Sequence, residues 1–235
     1  MNLTIIEKQY KFKFPKLFKT LWDDGMLDWM NGHSGTFNKN ESWASTIYPQ
    51  IKEKPPLFLH TGGFDFEMLT PDNILNWKFD EMWDIDEHKF IPFAKTDEGN
   101  VYAFYDGIKT DGEAAIVYIW NDMNETEVLA KNFEDFIFRK MLEATYDIDK
   151  DDLRADYKEQ EGFKCYQEDI QRDLETISPY LKGNYREILH EIYYRDEIQE
   201  TMFAYGLLEH NKLGVLLEQY LNFEEFDSVF EHELA

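Results

Sequence analysis

The feature that most constrains the fold is a change of hydrophobic pattern near residue 145. Before this point, helix-period segments alternate with strand-like ones. The segments 101–105 and 115–120 are the strongest strand candidates because aromatic and β-branched residues dominate them. After this point, every segment has helical periodicity and no strand-like alternation. The sequence therefore predicts two domains, an α+β domain over residues 1–145 and an all-helical extension over residues 146–235.

Cap and turn signals place the helices of the first domain. Pro15 begins a helix that ends before Gly25, and a shorter amphipathic helix precedes it. Thr70 followed by Pro71 is typical of a helix N-terminus, and Asn132 is predicted to cap a later helix. The other predicted elements are an ordered loop with short elements over 26–55, strands over 56–60, 64–68 and 90–94, and extension helices over 185–203, 213–221 and from Asn222 onward. We expect the extension to dock on the first domain, because the apolar stripes of its helices need a partner surface.

The charge of the chain argues against nucleic acids and anionic membranes as partners. Lys and Arg number 24 against 48 Asp and Glu, which gives a formal net charge of −24. Nucleic acids and anionic membranes are bound through a basic surface, so we expect neither as a partner. The excess of carboxylates favours basic protein partners. The extension is the more acidic part, with 9 basic and 23 acidic residues over 146–235 against 15 and 25 over 1–145.

Cysteine usage and hydropathy indicate the compartment. Cys165 is the single cysteine, which rules out an internal disulfide framework and a zinc site built from cysteines. The first residues lack the apolar core of a signal peptide, and the longest apolar runs, such as 114–120, are far too short to span a bilayer. We expect a cytoplasmic protein.

Each catalytic or metal-binding motif breaks at a required position. Residues 32–36 resemble a nucleophile elbow, but the second glycine of that motif is replaced by Thr36. Asp147 opens a calcium-loop pattern that fails at Asp152, where a glycine is required. His190 opens a zinc-protease pattern that fails at Tyr194. We therefore predict no catalytic residue, no cofactor, no metal ligand and no enzymatic activity. An enzyme that uses buried carboxylates stays open as a third alternative.

Five segments, read in order, resemble the SUKH superfamily, the group that includes the yeast cell-wall assembly regulator and many bacterial immunity proteins. The segments are Phe14-Pro15 before the helix that ends near Gly25, the strand-to-helix segment 66–71, the strand 90–94, the acidic turn 97–100 with the aromatic strand 101–106, and the segment 128–136. The resemblance covers about residues 3–143. This chain has Asn100 where the family usually has aspartate.

The resemblance implies both a fold and a class of function. The implied fold is one mainly antiparallel sheet with helices packed on it, and the implied activity is binding rather than chemistry. The leading hypothesis is a cytoplasmic immunity protein that binds and neutralises a cognate polymorphic or contact-dependent toxin, such as a basic nuclease. The alternative is a non-enzymatic regulatory scaffold or protein-binding module, as in the eukaryotic relatives. The oligomeric state is left open.

The partner-binding residues are predicted from aromatic rings that stand beside carboxylates. An exposed ring can anchor an interface, and a rim of carboxylates can steer a basic partner towards it. Two clusters have this composition: Trp120, Asp122, Glu125 and Glu127, and then Phe223, Glu224, Glu225 and Asp227. For each cluster, the competing interpretation is a solvated acidic face over a ring of the core.

Overall fold

The computed structural model describes residues 3–30, 42–63, 66–79, 88–157, 162–199 and 201–232. The chain divides into two compact units, neither of which is continuous in sequence. Unit 1 comprises Met1–Asp28, Asp65–Ile137 and Leu221–Ala235, and unit 2 comprises Trp29–Phe64 and Phe138–Tyr220. The division into domains at residue 145 stays a prediction, as does the docking of the extension.

The described residues form nine strands and ten α-helices. The strands are β1 Glu67–Met68, β2 Phe90–Lys95, β3 Val101–Thr110, β4 Glu113–Ile119, β5 Thr126–Ala130, β6 Ile148–Asp149, β7 Ile198–Gln199, β8 Ala204–Gly206 and β9 Val229–Phe230. The helices are α1 Leu3–Tyr10, α2 Lys16–Asp23, α3 Trp43–Thr46, α4 Tyr48–Ile51, α5 Pro71–Leu75, α6 Phe133–Glu143, α7 Lys150–Asp156, α8 Gly162–Ile177, α9 Gly183–Tyr193 and α10 His210–Leu221, with a 3₁₀ turn at Ser178–Tyr180. Within the described ranges, no helix is long and apolar enough to cross a membrane.

Unit 1 is built on a six-stranded antiparallel sheet with the strand order β1-β2-β3-β4-β5-β9. The α+β class and the mainly antiparallel sheet are therefore confirmed. The β3–β4 hairpin turns at Asp111 and Gly112, whose φ angles are 53° and 85°. Two consecutive positive φ angles are typical of the two-residue turn that matches the right-handed twist of paired strands.

Both faces of this sheet are covered by apolar side chains. Phe104 and Ala103 are neighbours on β3 and therefore point to opposite faces. The ring of Phe104 lies 5.2 Å from that of Phe18 and 5.5 Å from that of Phe133, which places helices α2 and α6 on this face. On the other face, Ala103 belongs to a buried cluster against which six partly buried hydrophobic residues pack, including Phe223. Each fully buried ring stabilises the fold by about 1.5–3 kcal/mol.

The predicted helix caps of unit 1 are present. The hydroxyl of Thr70 accepts a hydrogen bond from the amide of Asn73 at 3.2 Å, at the start of α5. The side-chain oxygen of Asn132 accepts one from the amide of Asp135 at 2.8 Å, at the start of α6. Gly25 follows α2 with a φ of 76°, which glycine adopts at little cost. These signals are local, and this is why the sequence predicts them well.

Unit 2 consists of helices with a small three-stranded sheet in the order β6-β8-β7. Helix α8 packs against α7 and α9 through its buried apolar side chains. Buried polar groups also join distant segments, as in the hydrogen bond from the Tyr193 hydroxyl to the carbonyl of Met141 at 2.8 Å. The amide of Leu207 donates to the carbonyl of Thr145 at 2.7 Å.

The C-terminal region contains helices, as predicted, together with four short strands that the pattern did not predict. The helix predicted over 185–203 ends at Tyr193, and its expected apolar member Met202 lies instead in the β7–β8 hairpin. The helix predicted from Asn222 is wrong. Asp227 donates its amide to the carbonyl of Val128 at 3.1 Å, so this segment pairs with the open edge of β5.

The strand predicted over 56–60 is also wrong, because its backbone groups find other partners. Phe58 has a φ of 65°, which is incompatible with a strand. The amides of His60 and Thr61 both donate to the carboxylate of Asp173, at 3.0 and 2.8 Å. The Asp173 carboxylate therefore accepts hydrogen bonds that the carbonyls of a neighbouring strand would accept in a sheet.

Candidate functional site

The pairing of β9 with β5 brings the two predicted acidic clusters to one edge of the unit 1 sheet. Glu127 lies opposite Val229, and Thr126 lies opposite Phe230. The pairing continues through the amide of Val128, which donates to the carbonyl of Ser228 at 2.9 Å. We call this region the acidic sheet edge. It consists of Trp120, Asp122, Glu125, Glu127, Phe223, Glu224, Glu225 and Asp227.

The first cluster lies in and beside the turn between β4 and β5. The amide of Trp120 donates to the carbonyl of Glu125 at 3.1 Å and closes the turn. Asp122 and Glu125 are exposed, whereas Glu127 and the ring of Trp120 are half-buried. The Trp120 ring contacts the ring of Tyr118 edge to face, with the centroids 5.0 Å apart. The carboxylates of this cluster thus face solvent, and its ring is only partly available to a partner.

Asn100 fixes the position of this turn, a role that no sequence pattern predicts. Its side-chain oxygen accepts a hydrogen bond from the amide of Asn121 at 2.8 Å, and Asn100 itself is buried. The side chain of Asn121 donates in turn to the carbonyl of Glu98 at 3.2 Å. Asn100 and Asn121 therefore hold the β4–β5 turn against the turn at 97–100.

The second cluster lies in the turn that precedes β9. The carbonyl of Glu225 accepts hydrogen bonds from the amide and the hydroxyl of Ser228, at 3.0 and 2.6 Å. Glu224 and Asp227 are exposed, and Glu225 is half-buried. Phe223 packs against the buried cluster of the sheet. This ring contributes to the core, and the carboxylates beside it form the surface.

Two exposed apolar side chains lie among these carboxylates, and the sequence analysis did not select them. Met123 in the β4–β5 turn is 39% exposed, and Val229 on β9 is 55% exposed. Met123 comes directly after Asp122 in the sequence. Val229 lies opposite Glu127 in the pairing of β9 with β5. Apolar anchors within a charged rim are the usual composition of a protein interface.

A buried histidine next to the acidic sheet edge contacts a residue of β5. His232 is fully buried just after β9, and its Nδ1 lies 3.1 Å from the hydroxyl of Thr126, which is also fully buried. This contact fixes the C-terminal segment on β5. Because the two residues are far apart in sequence, no local pattern could have identified it.

Unit 2 contains a buried polar cluster on helix α8. The Oδ2 atom of Asp173 accepts hydrogen bonds from the amides of His60 and Thr61 and from the Thr61 hydroxyl, which lies 2.8 Å away. Burial raises the pKa of Asp173 to about 6, although the nearby His60 and these hydrogen bonds oppose the shift. Asp173 is 3% exposed, and its three hydrogen bonds hold the 58–62 loop on α8.

The neighbouring Asp169 completes this cluster. Its Oδ2 accepts a hydrogen bond from the hydroxyl of Tyr157 at 2.7 Å, and its Oδ1 pairs with the guanidinium of Arg172. Burial and the bond to Asp169 raise the pKa of Tyr157. Asp169 is thus held by partners from the end of α7 and from α8, on the same helix as Asp173. Across the ranges that the structure describes, no group of three His, Cys, Asp or Glu side chains could hold a metal ion.

Comparison with known protein families gives one match. The model of the SMI1/KNR4 family (SUKH-1) matches residues 2–139, which is more than half of the chain. No curated protein and no solved structure matches the chain. The matched span includes the cluster from Trp120 to Glu127, whereas the cluster from Phe223 to Asp227 lies beyond it.

Proposed function

We propose, since the chain belongs to the SMI1/KNR4 family (SUKH-1), that it is a cytoplasmic immunity protein that binds and neutralises a cognate polymorphic or contact-dependent toxin. The family consists in general of non-enzymatic modules that bind other proteins. The single observation that carries the proposal is the acidic sheet edge, where carboxylates from two distant segments surround exposed apolar side chains.

The chemistry of this edge suits a basic toxin domain, such as a nuclease. A nuclease presents a basic cleft to the phosphates of its substrate. A row of carboxylates on a fixed strand edge can occupy such a cleft in place of those phosphates and exclude the substrate. The net charge of −24 adds a long-range attraction that accelerates the encounter.

The alternative is a non-enzymatic regulatory scaffold, which the same family membership supports. The two functions differ in their partner. An immunity protein protects a cell from one toxin and binds it tightly, whereas a scaffold binds cellular proteins and protects against none.

Growth protection tests the proposal directly. Where a neighbouring gene encodes a toxin, its toxin domain is expressed from an inducible promoter in cells that also express the wild-type protein or a variant. We expect the wild-type protein to restore growth, and the triple variant Asp122→Lys, Glu125→Lys, Glu224→Lys to bind the toxin domain at least tenfold more weakly. The control variant Glu168→Lys, Glu187→Lys, Glu218→Lys reverses three exposed carboxylates of unit 2 and produces the same change of net charge.

The control variant should protect as well as the wild-type protein does. Absence of protection by the wild-type protein would favour the scaffold. Equal loss of affinity in the two triple variants would show that net charge, and not the acidic sheet edge, determines binding.

A further inference from the structure

The β7–β8 hairpin of unit 2 presents two adjacent hydrophobic side chains to solvent. Met202 is 72% exposed and Phe203 is 65% exposed, the highest values among the large hydrophobic residues that the structure describes. Single exposed hydrophobic residues are common on protein surfaces, but two large neighbours at one tip are not. We call Thr201, Met202 and Phe203 the hairpin tip.

The backbone of the hairpin tip is held firmly, although its side chains are not packed. The amide of Lys150 donates to the carbonyl of Phe203 at 2.9 Å, and the Lys150 ammonium donates to the carbonyl of Met202 at 3.1 Å. The hydroxyl of Thr201 accepts from the amides of Phe203 and Ala204, at 3.1 and 3.0 Å. These bonds fix the backbone that carries the two exposed side chains.

Strand pairing joins β8, which follows the hairpin tip, to both β6 and β7. Asp149 on β6 lies opposite Ala204, and Gln199 on β7 lies opposite Tyr205. The Lys150 ammonium also stands 4.3 Å from the centroid of the Tyr205 ring. An apolar pair on such a support loses little conformational freedom when a partner covers it, which is what an interface anchor requires.

Three carboxylates lie on β6 and in the first turn of α7, next in sequence to the lysine that holds the hairpin tip. Asp149, Asp151 and Asp152 are all exposed, and the last two lie in the first turn of α7, directly after the lysine that holds the tip. Lys150 is the one basic residue in this stretch of sequence, and its ammonium is bonded to the tip. Three carboxylates against one ammonium leave an acidic rim on this side of the apolar pair.

We propose that the hairpin tip is a docking anchor for a basic protein partner, with Met202 and Phe203 entering an apolar pocket on that partner. The acidic rim supports a basic partner through charge complementarity, and it disfavours insertion of the tip into an anionic membrane. The identity of the partner as the toxin rests on the proposed function. The anchor itself rests on the exposure, the fixed backbone and the charge of the hairpin.

The test compares affinities for the purified toxin domain of the growth-protection experiment. We expect the double variant Met202→Ser, Phe203→Ser to lower the affinity at least 100-fold, because central apolar anchors dominate binding energies. The control is Val215→Ser on α10, a residue that is 55% exposed, and its affinity should stay within twofold of that of the wild-type protein. Unchanged melting temperatures would show that both variants are folded. Vesicles that contain phosphatidylglycerol should bind neither the wild-type protein nor the variants.

The outcomes separate the anchor from the proposed function. If the wild-type protein neutralises the toxin domain and the double variant binds it equally well, the anchor is wrong and the proposed function stands. If the wild-type protein does not bind the toxin domain, a photo-crosslinking amino acid at position 203 in host cells identifies what contacts the hairpin tip. A cross-link to a basic protein whose purified form binds the double variant 100-fold more weakly supports the anchor. A cross-link to lipid or to a second copy of the chain would overturn it.

Discussion

One buried carboxylate of unit 1 and one of unit 2 are held in different ways. In unit 1, the sheet is covered by aromatic rings, and the buried carboxylate of Glu7 is paired with Lys13 and Lys19, at 3.0 and 2.7 Å. In unit 2, the buried carboxylate of Asp173 is held by backbone amides and one hydroxyl. The ammonium partners favour the charged form of Glu7, whereas burial outweighs the hydrogen bonds and the nearby His60 at Asp173.

This difference gives the two carboxylates opposite pKa shifts. Burial disfavours the charged form of Glu7, but hydrogen bonds from Lys19, Lys13 and the amide of Phe14 outweigh it, so the pKa of Glu7 lies below its usual value. Burial dominates at Asp173 and raises its pKa to about 6. The pH dependence of stability can therefore distinguish how Glu7 and Asp173 are held.

The largest effect is expected from the apolar core of unit 1. Phe104 is fully buried, and its ring lies within 5.5 Å of the rings of Phe14, Phe18 and Phe133. Replacement of Phe104 by alanine should lower the free energy of unfolding by about 3–5 kcal/mol, because it removes a ring and leaves a cavity. Urea denaturation measures this loss. A loss below about 1 kcal/mol would mean that the aromatic layer does not determine the stability of unit 1.

The second effect concerns Asp173 and depends on pH. Between about pH 4 and pH 6, the folded protein binds a proton at Asp173 that the unfolded chain has released, so stability from this group falls as the pH rises. The fall amounts to about 3 kcal/mol for a shift of about two units. We expect Asp173→Asn to abolish this fall in stability. The measurement is the difference in unfolding free energy between the wild-type protein and the variant across this pH range. A difference that does not change with pH would contradict the raised pKa.

The smallest effect is expected at Glu7, with the opposite sign. Its lowered pKa stabilises the folded protein above the usual pKa of glutamate, and this contribution is lost as the pH falls through the folded value. Lys13 is 80% exposed and Lys19 is 39% exposed, so solvent screens both pairs and the contribution should not exceed about 1 kcal/mol. Glu7→Gln should therefore lose little stability at pH 7 and converge with wild type in acid. Divergence in acid would mean that the pairing with lysine is not what stabilises Glu7.

The predicted and the observed elements together show which parts of this fold follow from the sequence. Thr70 and Asn132 were predicted as caps because a cap depends on residues three positions apart. The loop at 58–62 was mistaken for part of a strand because its hydrogen-bond acceptor, Asp173, is distant in sequence. The segment after Asn222 was mistaken for a helix because the open edge of β5 competes for its backbone.

The same limit applies to the candidate surfaces. The sequence selected Trp120 and Phe223 because they stand beside carboxylates, but adjacency does not reveal that both rings are half-buried. Met202 fitted a helical stripe, yet the helix ends at Tyr193 and Met202 lies exposed in a hairpin. The role of the acidic sheet edge in binding stays a prediction. Its assembly from two clusters depends on β9, a two-residue strand with no sequence signal of its own.

The most direct test of the central claim is the association rate of the wild-type protein with the purified toxin domain at increasing salt. The Debye length shrinks from about 30 Å at 0.01 M to about 3 Å at 1 M ionic strength. If carboxylates steer a basic toxin to this protein, the association rate constant should fall at least tenfold over that range, while the dissociation rate changes much less. An association rate constant that does not change with salt would contradict electrostatic capture of a basic toxin and leave the net charge without a role in binding.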